Sequence, residues 1–266
     1  MPPVTDPYQP GTPCWIDLMA SDQQAALDFY RDLFGWQGEL GPAEFGGYSV
    51  CTLNDRPVAG IMQQSAPEGE PLPPVGWTTY LASDDVEAAG AAITGAGGTM
   101  VYSPMDVGTM GRMLVAADPV GARFGVWQAM DFIGAGVVNE PGALLWNELN
   151  TADTEAAGRF YRSALGLRPA TVQGMDGYYS LNVGDRTVGG MQAIPGYLEP
   201  STPSHWMTYF SVDDTDSTVD ALVKAGGSVL QPPFDMQSGR MAVVRDPQGA
   251  LFVVVQLPEA QLPDSP

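Results

Sequence analysis

Histidine is almost missing from this chain: His205 stands alone among 266 residues. A site built from two or three imidazoles is thereby excluded. Cysteine is nearly as scarce. Cys14 and Cys51 are the whole supply; they form no ligand motif and read as two reduced, buried thiols of a cytoplasmic protein. Basic residues number 11 against 31 acidic ones, a formal charge of -20. Such a polyanion repels nucleic acid and anionic membrane surfaces, so neither is expected as a partner. It favours neutral or cationic small molecules over phosphates and carboxylates. No apolar run approaches the roughly 20 residues of a membrane-spanning helix. The opening MPPVTDPYQP has neither a basic nor an apolar signal region, so no signal peptide is expected. A GxSxG elbow, a P-loop and a GxGxxG in strand-helix context are all missing.

What is present is a repeat. CWIDLMASDQQAALDFYRDLFGW (14–36) matches LWNELNTADTEAAGRFYRSALGL (145–167), and GYSVCTLNDRPVAGIM (47–62) matches GYYSLNVGDRTVGGM (177–191). WTTYLASDDVEAAGAAITGAGG (77–98) matches WMTYFSVDDTDSTVDALVKAGG (206–227), and GRMLVAADPVGARFGVWQ (111–128) matches GRMAVVRDPQGALFVVVQ (239–256). Each copy reads as an alternating strand, a helix capped by Ser21 or Asp22 and ended by Gly35, and a hairpin across Asn54-Asp55. A further strand, a second helix and a last strand pair around a DPxG turn follow. The pairs Asp84-Asp85 and Asp213-Asp214 are helix caps on this reading, and Gly97-Gly98 and Gly226-Gly227 are helix stops. The fold class is α+β: two tandem βαβββ-type modules, each written with an extra helix-strand entry. The division is an arm at 1–11, modules at 12–128 and 142–257, a linker at 129–141 and a tail at 258–266. Both Pro-rich ends are expected to dock loosely.

The order D-x-x-x-A-x-x-F-Y-x-x-x-x-G, then a D-D pair, then D-P-x-G, found twice, resembles the vicinal-oxygen-chelate superfamily of glyoxalases, bleomycin-resistance proteins and extradiol dioxygenases, in its two-module branch. The resemblance implies mixed sheets curled around cavities with helices outside, metal in the enzymes and antibiotic in the resistance proteins. It also implies a monomer, since a tandem pair supplies by itself the interface that single-module members form by dimerising. The family's metal positions, carried over singly, fall on Trp15 and Trp146, on Thr78 and Met207, and on Gly125 and Val253. The hairpin ligand would fall within 58–64 or 187–194, and neither stretch holds a carboxylate. Metals of this family need three or four N, O or S donors, so no metal and no cofactor is expected.

Strand alternation then nominates the cavity face. It takes Trp15, Asp17 and Met19 with Trp146, Glu148 and Asn150, and Thr78 and Tyr80 with Met207 and Tyr209. Gly125 and Trp127 match Val253 and Val255, with Tyr48 and Tyr178 nearby. Gly125 reads as a widening of the first pocket. Indole, phenol and thioether groups suit a flat aromatic ligand, although each is equally at home in a core. A mid-strand carboxylate costs desolvation unless partnered. Asp17 and Glu148 are therefore either acid/base groups, aided by Tyr80, Tyr209 or His205, or partners of Arg112 and Arg240 in the matched GRM segments. Both arginines enter the candidate ligand set.

Three functions remain open on this reading. One is metal-independent binding of a hydrophobic, polyketide- or antibiotic-like molecule for sequestration, carriage or self-resistance, with hand-over to a tailoring enzyme. Another is a metal-free cyclase, isomerase or lyase using Asp17 or Glu148. The last is a glyoxalase-like lyase. Which module holds the working pocket is left open. Sedimentation is expected to return one chain mass, 28.2 kDa; twice that mass would contradict the pseudo-dimer argument.

Overall fold

The computed structural model describes residues 3–66, 69 and 71–258. The first half runs β1 (Pro13–Ala20), α1 (Gln23–Phe34), β2 (Ser49–Leu53), β3 (Arg56–Gln63), β4 (Gly76–Ala82), α2 (Val86–Gly95), β5 (Thr99–Val107), β6 (Gly111–Ala117) and β7 (Arg123–Ala129). The second runs β8 (Leu144–Thr151), α3 (Thr154–Leu165), β9 (Arg168–Val172), β10 (Met175–Val183), β11 (Arg186–Ala193), β12 (His205–Ser211), α4 (Thr215–Lys224), β13 (Ser228–Met236), β14 (Gly239–Arg245) and β15 (Leu251–Gln256).

The second half is two βαβββ units in succession, where the sequence reading saw one unit with an addition. Its eight strands form one mixed sheet in the order β13-β14-β15-β12-β8-β11-β10-β9. The first half repeats the plan with seven, β2-β3-β1-β4-β7-β6-β5. The counterpart of β9 is replaced by a stretch holding Gly38, Gly41, Pro42, Gly46 and Gly47. Proline and glycine do not sustain a ladder; the chain makes a 3-10 turn at Ala43–Phe45 and a bridge from Gln37 to Thr52.

Local chemistry sets the element ends. Asp22, Asp85, Asp153 and Asp214 each accept a first-turn backbone N–H, relieving an orphan donor. Asn54 and Asp55 both take positive φ, 51° and 60°, as a two-residue hairpin turn requires. In the DPxG turns, Asp118 accepts from the backbone of Val120 and Ala122, and Asp246 from that of Gln248 and Ala250.

The two sheets meet through the faces that carry the helices. One core joins Ile16, Leu18, Tyr30 and Phe34 to Phe210, Leu222 and Phe252; a second joins Leu81, Ile93 and Phe124 to Leu149, Phe160 and Tyr161. Helix α1 touches α4, and α2 touches α3. The helices thus lie outside the open sheet faces but along the seam between modules. The repeated motifs stitch that seam reciprocally. Tyr30 of α1 donates to Asp246 in the DPxG turn of the other module at 3.1 Å. Its counterpart Tyr161 is set against Asp118 and accepts from Trp206 Nε1 at 2.8 Å. Thr79 of β4 donates to Asn147 of β8 at 2.7 Å.

The N-terminal arm is not loosely docked. Val4 donates to Gly136, Gly11 to Ala82 and the Tyr8 hydroxyl to Ala135, at 3.1, 2.8 and 2.6 Å, so arm and linker are tied together. The expected tail falls, beyond Pro258, outside the described residues. Among the described residues no helix is long and apolar enough to cross a membrane.

Replacing Tyr30 by Phe removes one donor from a buried carboxylate and is expected to cost about 1–3 kcal/mol. Urea unfolding measures it; a change under about 0.5 kcal/mol would show that the seam does not depend on this bond.

Candidate functional site

In the second module β8 brings Trp146 and Glu148 to the open sheet face, and β12 brings Tyr209 beside them through the pairs Trp146–Tyr209 and Glu148–Met207. Tyr178 reaches over from β10, two strands away. A Cβ on Gly190 would collide with the Tyr178 hydroxyl, so only glycine lets that ring lie across β11. Trp146 Nε1 donates to the Tyr178 oxygen at 3.3 Å, while Tyr209 Oη and Gln192 Nε2 each donate to Glu148 Oε1 at 2.7 Å. Burial raises the Glu148 pKa, and hydroxyls of Tyr209 and Tyr178 with the Gln192 amide oppose the rise. Above these groups opens a cavity of about 830 Å³, within the range that holds drug-sized ligands. Its walls include Trp146, Glu148, Tyr178, Gln192 and Tyr209, with Tyr197, Phe234 and Met241. Tyr8 of the arm and Asn139 of the linker also border it.

The first module repeats the constellation and closes it. Trp15 Nε1 donates to the Tyr48 oxygen at 2.7 Å, and Tyr48 donates to Asp17 at 3.4 Å. The ring of Tyr48 passes over Gly60 as Tyr178 passes over Gly190. Burial pushes the Asp17 pKa up to about 6, against hydrogen bonds from Tyr80, Thr78 and Tyr48. Phe132 of the linker then sets its edge on Trp15, 4.9 Å between centroids, and on Trp127, 5.9 Å. Trp127 Nε1 donates to the Phe132 carbonyl. Trp15, Tyr80 and Trp127 are buried in one cluster with Tyr8, Met110 and Met113 packed on it. The expected widening at Gly125 is absent because the Tyr80 ring occupies the space a side chain there would fill.

Several nominated residues sit elsewhere. Arg112 and Arg240 do not pair with Asp17 and Glu148. They fall on the opposite strand faces from Met113 and Met241, and they bind Glu87 and Asp106, and Asp216 and Asp235, at the surface. Asn150 and Met207 are buried on the cavity side but do not border the cavity, and neither does His205. Met19 and Thr78 belong to the closed module. Gln192, Tyr197, Tyr8 and the linker contribution were not foreseen. Gln192 had a signal, since it stands where the first repeat has Met62; the arm and linker residues had none, being placed by long-range docking.

The residues present do not fit a metal of the kind the fold implies. The positions expected to ligate hold two indoles, one neutral hydroxyl, one thioether, one isopropyl and no side chain at Gly125, and among the described residues no three of His, Cys, Asp and Glu come together.

With this geometry in view, comparison with known proteins is decisive on family. The profile of the "Glyoxalase/Bleomycin resistance protein/Dioxygenase superfamily" matches residues 14–126 and 143–254. The chain belongs to that superfamily. It is 44% identical over 261 residues to CFP32 of Mycobacterium tuberculosis, whose name proposes a glyoxylase, covering 96% of this chain and 98% of the relative. It is 39% identical over 267 residues to the "Anthracycline biosynthesis protein DnrV" of Streptomyces peucetius, covering 95% of each. Among solved structures, the Mn(II)-bound glyoxalase from Novosphingobium aromaticivorans superposes with a TM-score of 0.65 at 15% identity, over 93% of this chain and 82% of that one. The 2,3-dioxygenase LapB from Pseudomonas sp. KL28 superposes with a TM-score of 0.62 at 14% identity, over 94% and 93%. At these identities the two structures speak for the superfamily fold alone.

Because the folded pKa of Asp17 lies above its unfolded value, folding favours its protonated form. Its contribution falls as pH rises from about 4 to about 6 and is level above, roughly 3 kcal/mol in all. Asp17→Asn is expected to remove that slope whatever constant offset it adds. Urea unfolding from pH 4 to 7 tests this; parallel curves for the two proteins would place the carboxylate in a solvated or charge-paired setting.

Proposed function

We propose that this superfamily member binds a flat, hydrophobic or aromatic small molecule in the second module's cavity without a metal ion, for sequestration, carriage or hand-over in natural-product metabolism. The observation that carries the reading is the contrast between modules. The same Trp-carboxylate-Tyr-Tyr constellation is sealed by Phe132 in one and borders a cavity of about 830 Å³ in the other. Trp146, Tyr178, Tyr209 and Phe234 offer ring faces and edges, each stacking contact adding about 0.5–1.5 kcal/mol to burial. Glu148 and the net charge disfavour anionic ligands. The relative named for anthracycline biosynthesis belongs to a chemistry of fused aromatic rings.

Glu148 supports a second reading. A buried carboxylate with a raised pKa, held by two phenols and an amide, is in its ionised form a base suited to taking a proton from carbon beside a carbonyl, with Tyr209 or Tyr178 steadying the enolate. A metal-free isomerase, cyclase or lyase would follow. A glyoxalase-type reaction routed through a metal finds no cluster of three His, Cys, Asp or Glu donors among the described residues.

Titration with a panel of aromatic polyketides, followed by tryptophan fluorescence and by mass spectrometry of the recovered ligand, separates these readings. Quenching is expected with the ligand returned unchanged, the same affinity with and without a chelator, and most of the quench lost in Trp146→Phe. Quenching that survives in Trp146→Phe would put the ligand elsewhere. A recovered isomer or altered mass, abolished by Glu148→Gln, would establish the enzyme.

A further inference from the structure

The cavity's carboxylate is surrounded by rings and meets no cation. Glu148 stands mid-strand on β8, buried yet bordering the cavity. Four aromatic side chains share its surroundings. Trp146 lies two residues before it on the same face. Burial, and after it the Glu148 charge, raises the pKa of Tyr178, Tyr197 and Tyr209, so all three phenols lie close to the carboxylate. Each of the four rings borders the cavity as well. What acts on Glu148 itself is burial, the hydroxyls of Tyr209 and Tyr178 and the Gln192 amide, and none of these groups is cationic.

Among the described residues Arg186 is the one basic side chain on the cavity wall. It opens β11, four residues before Gly190, the strand partner of Glu148, and is roughly 13 Å away by strand rise. It is exposed to solvent and does not act on the Glu148 carboxyl. Tyr209 and Gln192 both donate to Oε1. Oε2 takes neither bond and can accept from a ligand.

Such a setting suits one kind of group. A carboxylate held by neutral donors away from water still lacks a counter-charge. Indole and phenol rings attract a cation through their quadrupoles. A ketone or hydroxyl leaves the charge unbalanced, and an anion adds a second charge of the same sign. An ammonium group supplies both the positive charge and the N–H donors. In the first module the equivalent tryptophan is covered by the Phe132 ring, and Met62 stands in place of Gln192. Only the second module joins the ringed carboxylate to an open cavity.

We propose that Glu148, with the rings of Trp146, Tyr178 and Tyr197, forms a subsite for a protonated amine, so that the cavity's ligand is an aromatic ring system carrying an ammonium group on a short arm. The ammonium donates to Glu148 Oε2, and the carbon that bears it lies against the surrounding rings. The aromatic part of the ligand then covers the apolar wall at Val255, Phe234 and Met241. The assignment rests on the cavity being the binding site, and adds to that reading the charge of the ligand.

Calorimetric titration of the full chain near pH 7 with 2-naphthylmethylamine and with 2-naphthalenemethanol, its neutral counterpart of the same outline, tests it. The amine is expected to bind at least about tenfold more tightly. That preference should hold from about 0.05 M to about 0.5 M NaCl, because salt screens a buried pair far less than a surface field. Glu148→Gln should erase the preference while keeping the alcohol's affinity, and Tyr197→Leu, at an exposed position, should cut it in part. Retained binding of the alcohol shows that each variant is folded; if Glu148→Gln does not fold, the salt series and Tyr197→Leu decide. Equal binding of the two probes, or a preference that survives Glu148→Gln, overturns the subsite. A preference that salt abolishes does so too, and assigns the effect to the net charge of -20. If neither probe binds while aromatic polyketides still quench Trp146, the subsite falls and the cavity reading stands. If those fail as well, both fall.

Discussion

The hydroxyl of a helix tyrosine in one repeat, set against the turn aspartate of the other, is the contact on which the architecture depends. Tyr30 reaches Asp246, and Tyr161 lies against Asp118. Each aspartate already holds its own turn together through backbone N–H groups, so the seam is built from parts each repeat needs for itself. The FY and DPxG motifs are far apart within a repeat and meet only across repeats. Neither half has its core to itself: Phe210, Leu222 and Phe252 of the second bury the helix of the first. Burial of such side chains contributes about 1.5–3 kcal/mol each, which makes the pair of modules the stable unit.

Joining the helix-bearing faces turns both open faces outward, where they acquire covers from chain that is not repeated. The linker sends Phe132 onto the first module and Asn139 to the rim of the second; the arm sends Tyr8 to the boundary of both. Two nearly equivalent sheets thereby end in unlike states, one filled with indole and phenol, the other open. The difference comes from the cover and from Trp127, which stands where the second module has Val255, since Trp15 and Trp146 make the same bond to Tyr48 and Tyr178.

Within the shared constellation the glycines at 60 and 190 matter as much as the polar groups. They let a tyrosine from a neighbouring strand cross the sheet and place its hydroxyl between an indole N–H and a carboxylate. The carboxylate is then held by hydroxyl donors without a counter-charge, so desolvation dominates and its pKa rises. A group in that condition can hold a ligand's donor or exchange a proton, and the same geometry underlies both functional readings.

The sequence by itself determined the repeat, the α+β class, the capping aspartates and the hairpin turn, because these follow from local periodicity and from single residues' φ preferences and capping chemistry. It also placed Trp146, Glu148 and Tyr209 on one face, since a strand's alternation leaves little choice, and set Tyr178 only nearby. It misjudged Arg112 and Arg240, where a one-residue phase put each on the helix side with an acidic neighbour. Gly125 was misread because no local pattern tells whether a missing side chain is filled by Tyr80 or left as space. Trp127 against Val255 was there to read, but where the arm and linker come to rest was decided by tertiary structure alone, and with it which module is covered. Arm and linker have no periodicity of their own, and they settle over two sheets that the repeat made alike.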